Sequence, residues 1–396
     1  MRHIWIPFVM MALLLASCSS NDLEDVGSES YKPIGLKKAA VKVNQTVNDF
    51  SARFACEALS NTEGNALVAP FSMQVSLSML ANAANANTLK EVMKVMGFEG
   101  QQLEDINAYN QQMWQSLKTS DPSATFCMAN GLWARFYDED YAALMKQDYD
   151  AEVAYAPLVE DPDACTDMIN NYFNQATGGL IPKAIEKAKN ADGLLYNVMY
   201  FKNKWTHQFD KSATTKRDFH NADKSVSQVD MMNQTAKLES YANSDYTYVR
   251  LPFGNGAFSF DIILPESQSL DECLAQLKTT GLPSDDKMEV GETTLILPKF
   301  ETHSTVDGKM LLEKMGISDL FYDVQSLPLI GNSCVSSIEQ NCKMKIDEEG
   351  GEASVVTESA EVIWSAHLKI IDHPFIYMIR EKSTGVILLA GKIEKM

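Results

Sequence analysis

The chain has 396 residues, 45% hydrophobic and 22% charged, with 34 Lys plus Arg against 53 Asp plus Glu and a net charge of −19. That length and apolar content suffice for a large packed core, while the acidic balance argues against nucleic-acid binding. Six histidines and seven cysteines show no H-E-x-x-H, no C-x-x-C and no other metal-ligand spacing, so no metal or cofactor is expected. Arg2 and His3 precede an apolar run, Ile4 to Ala16, interrupted by Pro7. The run is too short for a stable bilayer span and has the form of a secretory signal. From Val41 to Leu59, Val43, Val47, Phe50, Phe54 and Leu59 keep helical spacing. A long apolar helix is expected after Pro70 through Leu80, another at Thr88 to Met96, and a central strand at Thr125 to Arg135. No Pro/Gly/Ser-rich linker divides the chain after residue 40, and no internal repeat occurs. No G-x-S-x-G elbow, P-loop or glycine-rich dinucleotide turn is present, so no enzymatic nucleophile is indicated.

The order Leu15-Ala16-Ser17-Cys18 resembles the bacterial lipobox. That resemblance implies a signal peptide at 1–17, lipidation of Cys18 and a flexible acidic tether at 18–40. It also implies a protein lipid-anchored at a bacterial cell envelope, at the outer membrane, with surface exposure suggested by the acidic run Asp22 to Asp25. The remaining cysteines are expected to be small buried hydrophobes.

Near the C-terminus stands Glu348-Glu349-Gly350-Gly351-Glu352-Ala353-Ser354-Val355-Val356-Thr357. Alternate side chains of a strand face opposite ways. Gly351, Ala353, Val355 and Thr357 would form a small-residue face able to slide between two strands, and Glu352, Ser354 and Val356 the opposite one. Two adjacent glycines suit a segment that is mobile first and paired later, because glycine loses the most backbone entropy on ordering.

This pattern resembles the reactive-centre hinge of the serpins, protease inhibitors that insert a loop into their own sheet. Further segments come in the family's order: Asn65 to Met73, Ile169 to Phe173, Thr177 to Pro182, Tyr200 to Trp205, Val229 to Met232, Leu251 to Phe253, Leu295 to Phe300, Met315 to Ile317 and His373-Pro374-Phe375. The resemblance implies an α+β serpin fold at 41–396: a single domain with three β-sheets, about nine helices and an exposed reactive-centre loop. Counting sixteen positions from Glu348 places Trp364 in the protease's primary pocket and Ser365 after the cut, with Ile363–Trp364 as the second choice of bond. A large aromatic residue suits chymotrypsin-like enzymes; elastase-like ones are also favoured, and cysteine proteases form a further class. Ser72, Asn197 and Gln340 align with the polar cluster where the main sheet parts, and Trp205 with the residue where insertion begins. Gln340 replaces the family's His and implies weaker pH sensitivity. Ala69 stands where the family prefers Ser. Gln101 to Lys118 holds one Lys and no Arg, so no glycosaminoglycan activation is expected. The chain is expected to be a monomer. A non-inhibitory binding or chaperone-like serpin is the competing expectation.

Overall fold

The computed structural model describes residues 31–189, 191–350 and 367–396. The signal-like segment, Cys18, the hinge face from Gly351 to Thr357, and Ile363, Trp364 and Ser365 lie outside them. In chain order the elements are α1 (Lys38–Ser60), β1 (Ala66–Val68), α2 (Pro70–Ala83), α3 (Ala86–Met96), α4 (Leu103–Leu117), β2 (Thr125–Ala134), α5 (Glu139–Tyr149), β3 (Glu152–Tyr155) and α6 (Pro162–Ala176). Then come β4 (Gly193–Lys202), β5 (Thr215–His220), β6 (Val226–Ala242), β7 (Tyr246–Phe253), β8 (Phe258–Pro265), α7 (Leu270–Thr280), β9 (Glu289–Pro298) and β10 (Phe300–Asp307). The chain closes with α8 (Gly308–Met315), α9 (Asp319–Tyr322), β11 (Glu339–Ile346), β12 (His367–Ile370), β13 (Phe375–Glu381) and β14 (Ile387–Ile393).

The α+β architecture has nine helices and three sheets among the described residues. A nine-stranded sheet runs β1-β14-β13-β8-β7-β6-β9-β12, with β5 on β6; the others are β3-β2-β4 and β10-β11. Helix α2 is buried almost throughout, the polar Ser72, Gln74, Ser76 and Ser78 included. Pro70 at its first turn starts it without losing a hydrogen bond. Behind β2 and β4, α6 closes a smaller core around Trp133, Phe173 and Leu194. The expected helices at 41–59, 70–80 and 88–96 and the strand at 125–135 all form, each within three residues of the anticipated ends. The six cysteines of the described residues are unpaired, four of them buried. His373 uses both ring nitrogens within the fold, Nδ1 at 2.9 Å from Asp372 Oδ1 and Nε2 donating to the Pro265 carbonyl at 2.8 Å.

Strands β4 and β11 flank an opening lined by residues of both. Among the described residues no ladder joins them, so each is the edge of its own sheet. All of β4 except Leu194 is only half-buried, as an edge strand would be. Both strands end at the same place: β4 leads into Trp205, and the Trp205 indole donates to the Asp347 carbonyl just past β11 at 2.8 Å. They therefore run in the same direction with a cleft between them.

Candidate functional site: a cleft between two strands

The closed end of the cleft is built from residues 347–350 lying on segment 203–214. The Trp205 amide donates to the Glu349 carbonyl at 3.2 Å and the Phe209 amide to the Glu348 carbonyl at 3.1 Å. Trp205 is fixed in turn by stacking on Phe253, with ring centroids 4.4 Å apart and planes 9° from parallel, and by edge contacts with Phe209 and Phe260. The Glu348 carboxylate is buried and accepts from Thr214 Oγ1 at 2.9 Å and from Lys299 Nζ at 2.9 and 3.1 Å. Burial alone would push this carboxyl up. The donors Lys299 and Thr214 outweigh burial and hold it below the usual carboxylate range. Lys299 occupies the one-residue break between β9 and β10, so a single ammonium ties the hinge to the junction of two sheets. Glu349 pairs with Lys211, whose side chain is largely exposed.

Gly350 needs its missing side chain for a specific reason. Its φ is +96°, and a Cβ there would lie 2.6 Å from both the Asn203 carbonyl oxygen and the Trp205 nitrogen. Backbone approaches backbone, and only glycine permits it. The segment expected to be mobile begins, over Glu348 to Gly350, in contact with the turn after β4; the rest of it lies outside the described residues. Glu348 and Glu349 are held against the turn after β4 by two carboxylate–ammonium pairs and two backbone hydrogen bonds.

Further along the cleft the chemistry changes to neutral amides and hydroxyls. Ser72 on α2 donates to Asn197 Oδ1 on β4, and Asn197 Nδ2 donates to Asn130 Oδ1 on β2. Across the cleft, Gln340 on β11 makes a two-way clasp with Ala69: it accepts from the Ala69 amide at 3.1 Å and donates to the Ala69 carbonyl at 2.9 Å. The N-terminus of α2 thus touches both strands. Ser72, Asn197 and Gln340 line one cavity, with Leu195, Ile338 and Cys334 among the other walls. Trp205 does not belong to this group, since it sits at the closed end. Ala69, which cannot cap α2 through a side chain, is served by Gln340 instead.

Sequence reasoning named Glu348, Gly350, Trp205, Ser72, Asn197 and Gln340, and missed Lys299, Thr214, Lys211 and Asn130. Lys299 carried a signal of sorts: a cation directly after Pro298, where proline ends one strand. The other three carried none.

Comparison with known proteins places this arrangement. The family described as Serpin (serine protease inhibitor) matches residues 45–396. Iripin-3 of Ixodes ricinus is 27% identical over 90% of this chain and 95% of its own. The leukocyte elastase inhibitor of Bos taurus is 26% identical, covering 84% of this chain and 93% of its own. Among solved structures, Serpin48 of the insect Tenebrio molitor superposes with a TM-score of 0.78 at 26% identity, over 91% of this chain and 100% of that one. The serpins are in general protease inhibitors rather than enzymes, and this chain belongs to the serpin family.

Proposed function

We propose that the protein is a suicide inhibitor of serine endopeptidases, chymotrypsin-like or elastase-like, with cysteine proteases as a further class. One observation carries this reading. The chain leaves β11 held at the closed end of a cleft whose two walls, β4 and β11, are unpaired with each other among the described residues. The segment from Gly350 re-enters the described structure at His367, on β12, which lies alongside β9 with His367 opposite Thr293. A strand starting at Gly350 and running back along the cleft would be antiparallel to both walls and could offer hydrogen bonds to each.

The chemistry begins at the bond between Trp364 and Ser365. The protease's nucleophile adds to the Trp364 carbonyl carbon. The bond to the Ser365 nitrogen breaks, that nitrogen takes a proton and leaves as a new amino terminus, and an acyl-enzyme remains. The freed segment from Gly351 enters the cleft as a strand. Each added backbone hydrogen bond contributes roughly 1 kcal/mol, and apolar burial adds about 25 cal/mol per Å². Sixteen residues at about 3.3 Å each would carry the tethered protease roughly 50 Å. Drawing the ester from the oxyanion donors removes about 3–4 kcal/mol of transition-state stabilisation per donor, and deacylation stalls. The intact molecule is then held by a barrier rather than at its energy minimum. The protein itself performs no catalysis. Its Leu-Ala-Ser-Cys segment supports a lipid anchor at Cys18 on a bacterial envelope.

The deciding experiment nicks the chain near Trp364 with a non-target protease and compares melting temperatures. A large rise, together with denaturation-resistant complexes with a chymotrypsin-like enzyme, is the expected result. An unchanged melting temperature would overturn the reading.

A further inference from the structure

Helices α4 and α5, with Asn82 of α2, line a separate open pocket of about 420 Å³, within the range of small-molecule sites. Asp148 lines it and is only 9% exposed. Its Oδ1 accepts from the Gln147 side chain at 3.1 Å and, weakly, from that of Gln111 at 3.5 Å. Both donors are neutral amides. The lysines at this end of α5 are committed elsewhere: Lys146 and Lys118 lie 3.1 and 3.8 Å from Asp150. Asp148 also sits in the last turn of α5, where the helix's free carbonyls already make the surroundings negative. Glu104 adds a second carboxylate to the wall, and among the described residues neither acid is paired with a cation. Leu103 and Leu144 supply apolar surface beside them.

A carboxylate nine-tenths buried, at the negative end of a helix and served by amides alone, lacks the positive charge that normally accompanies such burial. We propose that the α4–α5 pocket binds a cation on a short apolar stem, an ammonium or guanidinium whose charge meets Asp148 and Glu104 while its stem lies on Leu103 and Leu144. Two sources share this chemistry: a free aliphatic amine and a basic side chain of a partner polypeptide.

The test uses the full chain and reads binding alone, so it does not depend on protease inhibition. Agmatine and the blocked peptide acetyl-Gly-Arg-Gly-amide are titrated separately by calorimetry. Saturable binding is expected, weakening with salt. It should fall by about tenfold or more in Asp148→Asn, the loss of one charge-assisted contact. Tighter binding of agmatine assigns the site to free amines, and tighter binding of the peptide to a polypeptide. Gln111→Arg, which supplies an internal guanidinium, guards against a misfolded Asp148→Asn protein; it should abolish binding and raise the melting temperature. No binding of either compound at millimolar concentration, or unaltered binding in either variant, would overturn the proposal.

Discussion

The two parts of the cleft hold its walls with different chemistry. At the closed end, carboxylates meet ammonium groups: Glu348 with Lys299, and Glu349 with Lys211. Along the cavity the contacts run between neutral groups, from Ser72 through Asn197 to Asn130 and from Gln340 to Ala69. Charge pairing is strong when buried, but it responds to pH and salt. Amide and hydroxyl contacts are weaker one by one and respond to neither. The closed end, called the latch below, is therefore the part whose hold solution conditions can tune. The neutral cluster, called the clasp, has no such handle.

The largest expected effect comes from breaking the latch at its tightest point. In Gly350→Ala the new Cβ would fall 2.6 Å from two backbone atoms at a φ of +96°. Positive φ costs an L-residue about 1–2 kcal/mol, and displacing packed backbone adds about 1–3. A loss of roughly 3–4 kcal/mol is expected in denaturant unfolding, with altered Trp205 fluorescence as residues 347–350 lift from the indole. A melting curve matching the unmutated protein would mean that the close approach is not real.

Lys299→Ala comes next. It leaves Glu348 buried without its cation, with Thr214 still donating. Breaking a buried pair from one side costs about 3–5 kcal/mol; Lys299 is partly exposed, so about 2–3 is expected. The pair also sets a pH dependence. The Glu348 pKa is lowered in the folded state, so its contribution is fully present above the unfolded carboxylate value. That contribution fades as pH drops through the lower folded value. Acidification below about pH 4.5 should therefore erode the stability of the unmutated protein more steeply than that of Lys299→Ala. Parallel curves would remove Glu348 from the latch.

How much of this was legible beforehand differs between the two parts. The order of motifs along the chain pointed to the α+β serpin fold, because each carried a local structural signature: Pro70 opening a helix, or Phe201 to Trp205 closing a strand. The latch was half legible. Gly350 stood out, but for entropy rather than for its contact with Asn203. Lys211 and Thr214 were invisible, since their role arises only when the turn after β4 folds onto residues 347–350. The α4–α5 pocket was illegible for the same reason. Asp148 and Glu104 are ordinary acids in sequence, and only packing shows that the nearby lysines are spent on Asp150.

The clasp can be given the sensitivity it lacks. Gln340→Ala would strip the Ala69 amide of its partner, and an orphaned buried amide costs about 1–3 kcal/mol. A loss near 2 kcal/mol, independent of pH, is expected. Gln340→His is the sharper variant. To accept from the Ala69 amide the imidazole must stay neutral, which lowers its folded pKa beneath the unfolded value of about 6.5. The unfolded chain then binds more protons, and stability should drop as pH falls below about 6.5. A flat melting profile between pH 7 and 5 would show that the clasp tolerates a charge.

The smallest effect tests whether both ion pairs of the latch are equivalent. Lys211 is largely exposed and Glu349 is not, and an ammonium in water contributes about 0–1 kcal/mol to such a pair. Lys211→Ala should therefore shift the unfolding midpoint slightly at low salt and not at all near 1 M, where charges are screened beyond about 3 Å. Lys299→Ala should keep most of its deficit at the same salt, because Glu348 is shielded from the ions. If salt cancels both deficits, the latch is a surface feature throughout. If it cancels neither, Glu349 is held as firmly as Glu348, and opening the cleft requires two buried carboxylates to be released together.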